Sequence, residues 1–146
     1  MGTWDEVCEM AGGFGAQRLG ATAWMFELEG RDPDRLQKVF VSYELNLMEP
    51  FFEFIQVKSA FVSIAEVDMD RVMRGMGQMQ VGGLGYSPLF DAEGNPIDGL
   101  VTITTSIPLA SLNVGDPTLL LYLHIVAKAA DRIEAGISSP EAGDRY

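Results

Sequence analysis

Three observations predict an α+β chain: an antiparallel sheet of about five strands backed by helices, in the order α-βββ-α-ββ-α. Val101, Ile103 and Ile107 alternate with Thr102, Thr104 and Ser106, the period of a strand with one face on a core and the other toward solvent or a partner. Leu119, Leu123, Val126, Ala130 and Ile133 recur at three- and four-residue spacing, a helical stripe from which Lys128, Asp131, Arg132 and Glu134 are kept away. Between the termini the apolar period switches from strand to helix and back, with no internal repeat and no second composition. One domain over residues 1–137 follows, with 138–146 read as a disordered tail because it has no periodicity and contains Pro140 and Gly143.

In chain order, Thr3 followed three residues later by Glu6 reads as a capping box. Trp4, Val7, Cys8 and Ala11 then share one helical face, and Gly12-Gly13 is the expected stop. After a stretch of small residues, Trp24, Phe26 and Leu28 face one way and Glu27 and Glu29 the other, which predicts a first strand. Arg31 to Asp34 has the composition of a turn, and Leu36 to Asn46 suits a second strand through its β-branched and aromatic residues. Met48-Glu49-Pro50 turns the chain again. Phe51 to Ile64 is apolar on both alternation classes, as expected of a central strand, bulged or straight, with both faces partly covered. These three strands form an antiparallel meander.

Asp68 then suits the N-cap of a helix in which Met69, Val72, Met73, Met76 and Met79 fall on one face. Gly75 and Gly77 each lower helix propensity by about 1 kcal/mol against alanine, so this helix depends on packing against its own chain or another. Gly82-Gly83 ends it, Gly85 to Asp91 is the expected fourth strand, Glu93 to Pro96 a turn, and Gly99 to Ile107 the fifth strand, closed by Pro108. For the last helix Asp116 is the expected N-cap, Pro117 the first helical residue and Gly136 the left-handed stop.

That succession, with a strand running into Ile107-Pro108-Leu109 and a terminal helix ending AKAADRIEAG, resembles the YbjN family, whose domains are similar to type III secretion chaperones. The residues that carry the resemblance, Val101 to Leu109 and Ala127 to Ile133, are packing residues rather than an active-site signature. The resemblance implies a compact domain, usually dimeric, that binds other proteins and has no known catalysis.

Composition narrows the function classes. Asp and Glu number 21 against 10 Lys and Arg, a formal net charge of −11, and a field of that sign repels phosphate backbones and anionic lipid. No direct nucleic-acid or membrane partner is expected. No apolar run approaches the roughly 20 residues of a membrane helix, and the acidic start MGTWDEVCEM does not read as a secretory signal, so a cytoplasmic location is expected. With one cysteine, Cys8, and one histidine, His124, neither a disulfide nor a thiolate-imidazole metal site is expected, and no cofactor motif is present.

Each candidate for chemistry has a plainer explanation. Cys8 lies on the apolar face of a short helix and His124 on the edge of a packed one, so both read as structural. Glu66, Asp68 and Asp70 lack the spacing of a calcium loop and read as helix capping. The glycines Gly82, Gly83 and Gly85 precede a strand rather than a helix, the reverse of a phosphate-binding loop. The remaining feature is the methionine stripe, because unbranched, polarizable side chains let a surface repack against a partner. The sequence therefore supports a homodimeric chaperone- or adaptor-like protein that binds a partner through Met69, Val72, Met73, Met76 and Met79. The alternative is a small-molecule-binding or enzymatic domain with a pocket between sheet and terminal helix.

The stripe yields a direct test. If it is an interface, replacing Met73 and Met76 with glutamate weakens association while the fold stays cooperative. If it is intrachain core, the double variant loses melting temperature first. Light scattering and thermal unfolding of one sample separate the two.

Overall fold

The computed structural model describes residues 2–29, 36–47, 52–63, 83–112 and 118–137. Among these, helix α1 (Trp4–Phe14) is followed by strands β1 (Gln17–Arg18), β2 (Ala23–Glu29), β3 (Leu36–Asn46), β4 (Phe52–Ser63), β5 (Gly83–Phe90) and β6 (Pro96–Pro108). A 3-10 turn (Leu109–Ser111) and helix α2 (Thr118–Ile137) complete the described elements. The six strands form one antiparallel sheet in the order β1-β2-β3-β4-β6-β5.

Helix α1 begins as the capping box predicts: the backbone N–H of Glu6 donates to Thr3 Oγ1 at 3.2 Å, and the Thr3 hydroxyl donates to Glu6 Oε1 at 3.2 Å. Its end differs from expectation. The helix runs through Gly12 and Gly13 to Phe14, and Gly15, at φ 89°, is the left-handed cap. The extra residues place Phe14 against Phe26, ring centroids 5.5 Å apart, and that contact outweighs the low helix propensity of two glycines. Immediately afterwards the short strand β1, which no alternation of the small-residue stretch announces, pairs Gln17 with Met25 and Arg18 with Trp24.

The meander β2-β3-β4 forms with the expected strands, and β4 carries a bulge between Ala60 and Val62 opposite β6. At that end the buried Gln37 amide donates from Nε2 to Ser59 Oγ at 2.9 Å and to the Ala60 carbonyl at 2.8 Å, while Ser59 donates to the Lys38 carbonyl at 2.6 Å. These bonds fasten the start of β3 to β4 where the ladder is irregular.

Strands β5 and β6 are longer than predicted. β5 starts at Gly83, so Gly82-Gly83 is not wholly a helix stop, and β6 starts at Pro96 rather than Gly99. The connecting turn is Asp91 to Asn95: Asp91 Oδ1 accepts from the backbone N–H groups of Glu93 at 3.0 Å and Asn95 at 2.9 Å, and Gly94 takes φ 84°. This local network, which composition alone does not reveal, lets pairing continue to Pro96. At the far end Pro108 closes the strand as expected. The 3-10 turn that follows was not predicted; its Leu109 carbonyl accepts from Gly2 N–H at 3.1 Å and anchors the N-terminus.

Every stripe residue of α2, Leu119, Leu123, Val126, Ala130 and Ile133, is buried, packing with Phe26, Val39, Val41, Ile55, Val57 and Ile103 from the sheet. Two expectations fail here. Asp131 and Glu134 are not on the solvent side: they are 0% and 1% exposed, whereas Lys128 and Arg132 are exposed. A buried carboxylate is tolerated only when it is engaged, and both side chains keep polar or electrostatic contacts. Helix α2 also continues through Gly136 to Ile137, so Gly136 is not its stop. The expected cap Asp116-Pro117, the turns at residues 31–34 and 48–50, the tail 138–146 and the helix expected over Asp68 to Met79 lie outside the described residues.

Because Leu123 is fully buried at the centre of this stripe, Leu123→Ala is expected to cost about 2–5 kcal/mol. Thr3→Ala, which removes only a cap, is expected to cost about 0.5–2 kcal/mol. Denaturant unfolding of both variants checks the order.

Candidate interaction surface

The antiparallel registers sort the sheet residues into two faces. Leu28, Phe26 and Trp24 share one with Gln37, Val39, Val41 and Tyr43, with Ile55, Val57 and Ser59, and with Ile103 and Ile107. Helices α1 and α2 cover this face. The opposite face carries Met25, Phe40, Gln56, Lys58, Thr104 and Ser106. The hydroxyls of Thr102 and Thr104 share a hydrogen bond of 2.8 Å there, above Gly85, where a Cβ would collide with both.

Of the twelve large apolar side chains exposed among the described residues, five lie on the β5–β6 hairpin: Leu84, Tyr86 at 57%, Leu89, Phe90 at 56% and Ile97 at 66%. Gly83–Phe90 contains no charged residue, in a chain of net charge −11. Tyr86 is held in place: its ring fills the space that a side chain at Gly99 would need, so Gly99 and Tyr86 pack as one unit across the strands. Exposed apolar side chains are thus concentrated on this hairpin among the described residues. The sequence pattern of Gly83–Phe90 predicts a strand and carries no signal of its exposure.

The interface residues chosen from sequence, Met69, Val72, Met73, Met76 and Met79, lie outside the described residues, as do Glu66, Asp68, Asp70 and Gly82. Gly83 and Gly85 belong to β5. Cys8 sits at the rim of the core, its Sγ accepting a hydrogen bond from the Trp24 indole at 3.3 Å. His124 is half-buried on α2, where Leu123 next to it enters the core and His124 itself does not. The structure does not bring Cys8 and His124 into one described hydrogen-bonded arrangement, and among the described residues no group of three or more His, Cys, Asp or Glu side chains is placed to hold a metal ion.

The pocket alternative placed its site between sheet and terminal helix, where the described apolar side chains of α2 pack with those of the sheet and Asp131 and Glu134 are also buried. A groove of about 400 Å³ lies elsewhere, at the corner of α1 and β1, lined by Phe14, Gly15, Ala16, Gln17, Met25 and Glu27. Two titrations are displaced by their surroundings. Tyr43 is raised by partial burial, reinforced by the neighbouring Glu53 carboxylate, and Trp4 packs on its ring at 5.7 Å. Asp91 is lowered chiefly by the hydrogen bond from Asn95 N–H, with that from Glu93 assisting.

Comparison with known proteins adds no neighbour: the chain matches no family model, no curated protein and no solved structure. Among the described residues no helix is long and apolar enough to cross a membrane.

The hairpin turn carries a pH prediction. Because the folded Asp91 carboxyl lies below its usual value, its contribution is complete above the unfolded pKa near 3.9 and is lost as pH falls through the lower folded value. Protection of the β5 and β6 amides, measured relative to their intrinsic exchange rates at each pH, should therefore fall below about pH 4. In Asp91→Asn, which keeps an acceptor but cannot ionise, that part of the pH slope should vanish.

Proposed function

We propose that this chain is a non-catalytic protein-binding module of chaperone or adaptor type, acting in the cytoplasm as a homodimer that binds a partner protein. The observation that carries the reading is the β5–β6 hairpin, whose strand β5 has no charged residue and which holds five exposed apolar side chains. An acidic surface around an apolar patch keeps a protein soluble while leaving one place where a partner gains by excluding water. The resemblance of the strand and helix at residues 101–109 and 127–133 to the YbjN family points the same way. The methionine stripe extends the same proposal, as a second adaptable apolar surface.

Light scattering across rising concentration tests the dimer: the expected mass is twice 15.9 kDa, and a mass that stays at 15.9 kDa contradicts it. Cys8→Ala and His124→Ala are expected to retain dimerisation and partner capture at wild-type level. A folded variant of either kind that loses them would overturn the dispensability of that residue.

A further inference from the structure

Among the described residues strand β5 ends the sheet, and its outer edge has a defined hydrogen-bonding pattern. In an antiparallel ladder, opposed residues either bond to each other through both N–H and C=O or both turn away. Tyr43 N–H donates to the Thr22 carbonyl on the β2 side at 2.8 Å, so Tyr43 turns away from β4. Its opposite residue, Ile55, therefore turns toward β6 and bonds with Ile107. Ile103, an even number of residues from Ile107, also turns toward β4 and away from β5, so its opposite residue Leu84 turns outward. Tyr86 and Pro88 share that phase. Pro88 has no N–H to donate and occupies an outward position, where the ladder to β6 does not need one.

From this geometry we infer that the outer edge of β5 is the homodimer contact, two copies pairing antiparallel about a two-fold axis at Gly85. The inference rests on the homodimer reading and specifies its contact. In this register Leu84 opposes Tyr86 of the second copy and Tyr86 opposes Leu84, and each pair exchanges two backbone hydrogen bonds. The side chains of these pairs stand on the sheet face of Ile103, with the Tyr86 ring leaning over Gly99 and clear of the axis. Gly85 meets Gly85, so nothing obstructs the axis, and Gly83 opposes Ser87. The occupant is a second copy because the edge is self-complementary and uncharged. Among the described residues both edge strands, β1 and β5, lack acidic residues, but β1 is two residues long and only β5 is long enough for a ladder; two chains of net charge −11 repel least where no carboxylate stands. Pro88 limits the ladder, because its outward position offers no donor beyond the central pairs.

Two experiments test it. Leu84→Pro removes the outward N–H of residue 84 in each copy, two of the four central bonds, without touching the ladder to β6. The dimer dissociation constant should rise by about tenfold to a hundredfold with the monomer's circular dichroism unchanged. In a Cys8→Ala background, Gly83→Cys together with Ser87→Cys should form an intermolecular disulfide under mild oxidation. Positions 83 and 87 of opposite copies are non-hydrogen-bonded partners whose Cα atoms lie about 4.5 Å apart, and a Cβ at Gly83 meets nothing within 4 Å. Within one strand the two are about 13 Å apart, so they cannot bridge intramolecularly, and either single cysteine variant should cross-link weakly. A wild-type dimer that is insensitive to Leu84→Pro and not trapped by the cysteine pair overturns this contact and leaves the homodimer standing. Cross-linking by one single variant as efficiently as by the pair overturns the register. A wild-type chain that stays monomeric overturns both contact and homodimer.

Discussion

The seating of α2 on the sheet is the contact on which the described fold depends. A sheet with β-branched and aromatic residues on one face is unstable until that face is covered, and Leu119, Leu123, Val126, Ala130 and Ile133 supply most of the cover for β2, β3, β4 and β6. Helix α1 completes it through Val7 and Ala11 at the corner near Trp24 and Phe26. This arrangement explains why two carboxylates, Asp131 and Glu134, are buried toward the C-terminal end of α2. A twenty-residue helix laid flat on a twisted sheet contacts it through more than a narrow stripe, and positions beside that stripe are enclosed as well.

Covering one face leaves the sheet edges to be managed separately. At one end β1 is only two residues long and α1 turns into it directly, so little backbone is offered to another strand. At the other end β5 is eight residues long, apolar and uncharged, with a single proline as a partial guard. The two ends are thus built differently, and β5 is the longer edge among the described strands.

The parts of the fold that were legible in sequence are those where one periodicity covers a whole element. Leu36 to Asn46, Trp24 to Glu29 and the α2 stripe all emerged as expected because each repeats its pattern several times. The misreadings occurred where a single residue or a tertiary contact decides. Gly12 and Gly13 remain helical because Phe14 finds Phe26, a contact between residues twelve apart that local propensity does not contain. β1 is too short to show alternation, and the early start of β6 depends on the side chain of Asp91 bonding two backbone amides. Asp131 and Glu134 have the composition of a solvent face and the position of a buried one, a conflict that only the packing resolves.

For the interaction surface, the methionine pattern is legible in sequence and the exposure of β5 is not. Gly83 to Phe90 carries no charge, but neither do residues 99–115, so the hairpin is distinguished by the exposure of its apolar side chains, which only the packing reveals. A neutral edge strand adds no carboxylate repulsion to backbone donors and acceptors that are already aligned. Gly99 shows how firmly that alignment is set: by leaving room for the Tyr86 ring it lets the tyrosine lie inward over β6, away from the open edge. The same side chain that fills a gap within one molecule thereby leaves its backbone N–H and C=O uncovered for another.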